Sequence, residues 1–238
     1  MPSYQFEDMV RQIAIGELAQ QARDNSTGAV MPQAFGPEDA AAFVDLQNFH
    51  YFLKYGCGVN ATQVDLPNLI REFAASHGLN LVAMHFFTGI HDPERDPVKY
   101  GAMVKRIHWL RKNGAVVTAL PVLYHGRGDT ARVEEKGVDV RIASELLRSI
   151  TKGLRRAVVI SQDKDIAQAV LVGKEIAQDL KSELLAYSPR LTGAPEEQRV
   201  RTGVAGLEET TPLDMPVAMI RRHTRAAVNE QPSDALPS

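Results

Sequence analysis

Between residues 41 and 190, short apolar runs alternate with longer segments of helical period, and this alternation constrains the fold more than any other feature. The apolar runs are 41–46 (AAFVDL), 80–88 (NLVAMHFFT), 115–122 (AVVTALPV), 156–161 (RAVVIS) and 183–187 (ELLAY). Each is short and apolar on both faces, as parallel strands covered on both sides must be. The helical segments fall at 66–77, 96–113, 138–152 and 165–181, with Pro97 in a first turn and Gly78, Gly114 and Gly153 at helix ends. Strand–helix alternation of this kind predicts an α/β fold, with a mainly parallel sheet between two helical layers.

The flanks differ from this core. Residues 4–23 space Phe6, Met9, Val10, Ile13 and Leu18 as an amphipathic helix does, and a turn-rich linker follows. Residues 191–238 carry five prolines and few aromatics, and read as a flexible tail with a short helix near 215–228. The expected organisation is therefore 1–40 as helix and linker, 41–190 as the domain and 191–238 as the tail. The helix and the tail are the segments expected to meet a second copy of the chain or another protein. A single cysteine, Cys57, excludes an internal disulfide framework. With no basic–apolar leader and no run near the ~20 residues that span a bilayer, a cytoplasmic protein with no membrane partner is expected.

In an open parallel sheet, chemistry gathers at the carboxyl ends of the strands. The first strand ends in Asp45, within VDLQNF, and the fourth runs into SQDKD with Ser161, Asp163 and Asp165. KGVDVRIASELL places Asp139 at a helix start and Glu145 six positions on, about 240° around the helix. Singly, Asp45 reads first as a turn or helix-cap residue, Asp139 reads equally well as an N-cap, and Asp163 and Asp165 can serve as caps of the helix that begins near Ile166. Together they bring several carboxylates to one rim, which is unfavourable unless a cation neutralises them. Hard oxygen donors select Mg²⁺ or Mn²⁺, and such a site suits phosphodiester hydrolysis.

These residues resemble the motifs of the NYN domain family, the PIN-like nuclease relatives that include the LabA-like proteins. In that family an Asp at a strand end is followed three residues later by Asn, here Asp45 and Asn48. A Lys-Gly-x-Asp segment precedes a helix with a further acid, here Lys136, Gly137, Asp139 and Glu145. A later strand enters Ser-Gly-Asp-Ser-Asp-Phe, matched here by SQDKDI with Ser161, Asp163 and Asp165. Gln162 stands where the family has Gly, and Ile166 where it has Phe. The resemblance implies a PIN-like, Rossmann-like α/β/α domain and a metal-dependent ribonuclease acting on RNA. By position, Asp45, Asp139 and Asp163 would be catalytic metal-site carboxylates, with Asp165 and Glu145 as further ligands. Asn48 and Ser161 would orient ligands or the scissile phosphate. A binding module for RNA or protein on the same fold, without turnover, is the alternative.

Other features bear on the same rim. His91 and Asp92 follow the second strand, and a loop carrying Arg127, Arg132 and Lys136 follows the third, where Arg127 and Lys136 are candidate RNA-backbone contacts. That loop lacks the Gly-Lys-Ser/Thr ending of a phosphate-binding P-loop. Tyr51, Phe52 and Tyr55 follow the first motif; base stacking is one role for them, and core packing is the one their helical spacing favours. The basic runs around Lys105–Lys112 and Arg148–Arg156 read as solvated helix faces. A haloacid-dehalogenase-type phosphoesterase would need a second Asp where Gln47 stands.

The net charge of −2 hides an asymmetry. Residues 1–40 carry 2 basic and 6 acidic residues, and 191–238 carry 5 and 7, whereas 41–190 carry 20 and 16. Five of those 16 acids are the candidate ligands, so the rest of the domain is distinctly basic. RNA remains an admissible partner.

Overall fold

A computed structural model describes residues 34–125, 132–193 and 207–225. The expected helix at 4–23 lies outside them. The elements are β1 (Asp39–Asp45), α1 (Leu46–Cys57), α2 (Leu66–Ser76), β2 (Asn80–Ile90), α3 (Pro97–Lys112), β3 (Val116–Pro121), β4 (Leu123–His125), β5 (Arg132–Glu134), α4 (Val138–Thr151), β6 (Arg156–Ile160), α5 (Lys164–Asp179), β7 (Leu185–Thr192), β8 (Thr211–Pro216) and α6 (Val217–Arg222). Six strands form one sheet in the order β3-β2-β1-β6-β7-β8, every neighbouring pair parallel. β4 and β5 make a separate antiparallel hairpin.

The alternation within β1 builds both cores. Ala42 and Val44, with Met84, Phe86, Val158 and Ile160, face α1, α2, α3 and α6. Ala41 and Phe43, with Ala83, Phe87, Ala157 and Val159, face α4 and α5. Small alanines at the middle of β1 let helices approach the sheet from both sides, while Phe43, Phe73 and Phe86 fill the space between layers. The result is the three-layer α/β/α arrangement expected from the alternation. No helix among the described residues is long and apolar enough to cross a membrane.

The sheet runs past the boundary expected at residue 190. β8, TPLDMP, pairs with β7 from Tyr187↔Thr211 to Thr192↔Pro216. Two prolines conceal it in the sequence, yet an edge strand tolerates them because one side of its backbone has no partner to satisfy. Its attachment is specific. The Ser188 hydroxyl, buried in β7, accepts the Leu207 N–H at 2.9 Å and the Thr210 hydroxyl at 2.7 Å. Met215 and Ile220 are fully buried against the α1–α2 side, and Glu72 on α2 binds both Arg222 and His223. Residues 207–225 therefore belong to the domain.

Candidate functional site

The chain leaves β1 to build β2 and β3 on one side, and returns to build β6, β7 and β8 on the other. The carboxyl ends of β1 and β6 thus flank the topological switch point, where α/β sheets open a crevice. Val44 pairs with Ile160, so Asp45 and Ser161 follow on neighbouring strands, about 4.8 Å apart across the sheet.

Asp45 is fixed by its own helix. It is the N-cap of α1: Oδ1 accepts the Gln47 and Asn48 backbone N–H groups at 3.0 Å each, and Oδ2 accepts from Asn48 Nδ2 at 2.6 Å. Only 7% of the residue is exposed. Burial raises its carboxyl pKa; the Asn48 and Gln47 hydrogen bonds oppose this, and the charge of Asp163 adds to it. Asp163 repeats the device as N-cap of α5, accepting the Asp165 N–H at 2.9 Å, while its own N–H reaches Ser161 Oγ at 3.2 Å. Asp139 stands in the first turn of α4, which starts at Gly137 with φ 81° and has no side-chain cap. Glycine reaches that left-handed conformation without steric cost, so the chain can turn sharply and still bring Asp139 to the rim. Asp165 has its pKa raised by burial, then by Asp163, then by Asp139. Asp45, Asp163, Asp165 and Asp139 are therefore linked in one repulsive field, and none forms an ion pair with a described lysine or arginine.

The remaining candidates separate. Ser161 is buried at the end of β6, and Lys136 is exposed beside Gly137. Arg127 lies outside the described residues. Glu145 is set apart from the cluster: Arg148 holds it with Nε at 3.0 Å and Nη2 at 2.5 Å, and His85 Nδ1 lies 3.8 Å away. α4 carries it about 9 Å beyond Asp139, down toward the middle of the sheet. His91, at the end of β2, shares a 2.8 Å hydrogen bond with the Tyr124 hydroxyl. Of the aromatic run after Asp45, Phe52 is buried as expected, whereas Tyr51 and Tyr55 are 47% and 51% exposed. Core packing is thus corrected for both tyrosines: they lie on the side of α1 opposite Phe49, Phe52 and Leu53.

Glu135 escaped the sequence reading. It sits between β5 and α4, accepts a hydrogen bond from the Gly89 backbone and has its pKa raised by burial and by the charge of Asp45. A Cβ on Gly89 would lie 2.7 Å from both Cγ and Cδ of Glu135 and 2.6 Å from Val122 Cγ1. The bare backbone of Gly89 is thus the shelf on which Glu135 rests. The available signal was its place one residue before Lys136, but no spacing rule joins it to β2. Gly89→Ala is expected to cost about 1–3 kcal/mol through this overpacking. Adding Glu135→Ala should recover part of the loss in a denaturant-melt double-mutant cycle; strictly additive effects would refute the contact.

No three acidic, histidine or cysteine side chains among the described residues stand close enough to hold one ion as they are arranged. The donor chemistry nevertheless suits a hard divalent cation: carboxylates that repel one another, one of them buried, with no ion pair to a described lysine or arginine. Asp163 and Asp165 are exposed and Asp139 is half-buried. Beside the rim lies a small crevice, with room for about one water, lined by Asn48, Phe49, Phe52, Ile160, Ser161, Gln162 and Pro189.

The raised pKa of Asp45 has a thermodynamic sign. Above that pKa the buried ionised carboxylate disfavours the folded state, and the penalty fades as pH falls through it. Asp45→Asn keeps the cap and removes the charge, with the Asn48 amide turning to present its oxygen. Without divalent ions near pH 7.5 the variant is expected to melt above the parent chain, with the gap closing on acidification. Added Mg²⁺ should raise the melting temperature of the parent alone. Equal responses to Mg²⁺ would count against an ion at Asp45. No known family model matches the chain, and no curated protein matches it.

Proposed function

We propose that this protein is a metal-dependent endoribonuclease of the NYN, PIN-like kind. What carries the reading is the pair Asp45 and Asp163, which follow adjacent parallel strands at the switch point and each serve as the N-cap of the next helix. Asp45, Asp139, Asp163 and Asp165 are the residues that would hold Mg²⁺ or Mn²⁺, and the chemistry such an ion supplies is water activation and charge neutralisation at a phosphodiester. Asn48 keeps one Asp45 oxygen oriented, and Ser161 supports the backbone of Asp163. Lys136, exposed at the approach to α4, and Arg127 are the phosphate contacts of this reading. Glu145 is left out of the ligand set, because Arg148 already occupies both of its oxygens.

The test is cleavage of single-stranded RNA with Mg²⁺ or Mn²⁺ against the same reaction in EDTA. Cleavage that survives EDTA overturns the metal-dependent mechanism. The second reading, a binding module on the same fold, is favoured by the open spacing of the carboxylates. It predicts RNA binding with no cleavage under either condition.

A further inference from the structure

The exposed stripe of α1 is unlike the other helix surfaces. Gln47, Tyr51, Lys54 and Tyr55 fall on its solvent side, while Leu46, Phe49, Phe52, Leu53 and Cys57 are buried. The rings of Tyr51 and Tyr55 stack with centroids 5.8 Å apart and planes inclined by 18°. The Lys54 ammonium sits 5.3 Å from the Tyr55 ring centroid, and His50 meets Tyr51 edge-on. Two half-exposed tyrosines in mutual contact place apolar area in water at the surface of a domain that has ample core for aromatics.

The charges around the stripe share one sign. Between Asp45 and Asp65 the chain has no acidic residue. Arg106, reaching from α3, and Lys54 both disfavour protonation of His50. Nη2 of Arg106 is buried with no hydrogen-bond partner among the described residues. That nitrogen is closed to solvent, and what Arg106 brings to the stripe is its positive charge near His50, alongside that of Lys54. The stripe begins at Asp45 itself, and Tyr55 lies about 15 Å along the helix from it.

We propose that the Tyr51–Tyr55 stripe of α1, with Lys54 and Arg106, is a stacking track for single-stranded RNA leading to the carboxylate rim. Unpaired bases lie on the tyrosine faces, and the phosphates between them meet Lys54 and Arg106. Stacking on aromatic rings beside a positive groove is how proteins hold single strands without reading sequence. Duplex bases keep their faces covered, so the track selects unpaired segments. The track's destination rests on the proposed nuclease reading, but its binding does not require turnover.

The experiment uses the full chain in EDTA and a fluorescein-labelled 12-nucleotide oligouridylate, read by anisotropy. The parent protein should bind, and Tyr51→Ala/Tyr55→Ala should weaken binding by about tenfold or more. Tyr51→Phe/Tyr55→Phe should stay within about twofold of the parent, because the ring rather than the hydroxyl does the stacking. The same oligouridylate annealed to oligoadenylate should bind more weakly than the single strand. Binding unchanged in the alanine pair, duplex binding as tight as single-strand binding, or no binding by the parent protein each overturns the track. Cleavage of a dinucleotide substrate reports on the carboxylates separately. Cleavage with tyrosine-independent binding removes the track alone, whereas tyrosine-dependent binding without cleavage removes the nuclease reading alone.

Discussion

Asp163→Asn is expected to lower RNA cleavage by at least about a hundredfold while leaving the fold and RNA affinity intact. The substitution is nearly isosteric, and the asparagine oxygen can still accept the Asp165 N–H that caps α5. Melting temperature and circular dichroism should therefore change little. What disappears is one full negative charge at the switch point, opposite Asp45. Altering residues that merely support a metal ligand commonly costs 10–100-fold, so loss of a ligand charge should cost at least as much. Asp45→Asn should act similarly, and the double variant should be little worse than either single one, because both remove the same site. Glu145→Gln is the control: it sits with Arg148 and His85, apart from the cluster, so it should leave cleavage unchanged. Cleavage that survives in the double Asp variant would remove the chemistry from this rim.

The sheet was largely legible because β1, β6 and most of β2 are buried on both faces, and that condition writes itself into sequence as unbroken apolar runs. The two aspartates that end β1 and start α5 were legible for a related reason. A strand that becomes a helix needs a cap, and Asp45 and Asp163 supply it. The same fact explains why each was ambiguous alone, since capping and ligation ask for the same residue type. β8 was hidden because its pairing depends on backbone left free by β7, with only Met215 fully buried to mark it. Glu135 was hidden because its contact with Gly89 joins segments 46 positions apart, and a glycine declares no preference for what lies over it. Tyr51 and Tyr55 misled because helical spacing shows which residues share a helix side, but not which side the sheet covers.

The second large effect concerns acid stability and centres on His85. The ring is 2% exposed in the middle of β2, stacked on Phe43 at 5.2 Å and near Phe87 at 6.5 Å. Its Nε2 is buried without a hydrogen-bond partner among the described residues, so a proton added there meets no acceptor among them. Burial, followed by the charges of Arg148 and Lys152, pushes its pKa down to about 4, and Glu145 at 3.8 Å does not reverse this. The unfolded chain takes up the proton near the ordinary value of 6.5, while the folded chain resists until about 4. Through that window the unfolded state holds more protons, so stability falls as pH falls. The loss amounts to about 3 kcal/mol by pH 4. Asp45, Glu135 and Glu145, with raised pKa values, work in the opposite direction and blur the total. His85→Phe separates the terms: phenylalanine can keep the stack between Phe43 and Phe87 and cannot be protonated. Denaturant melts of the two proteins should draw together in the variant's favour by about 3 kcal/mol between pH 7 and pH 4, whatever their offset at neutral pH. Parallel stability curves across that range would show that the folded chain protonates His85 as readily as the unfolded chain does.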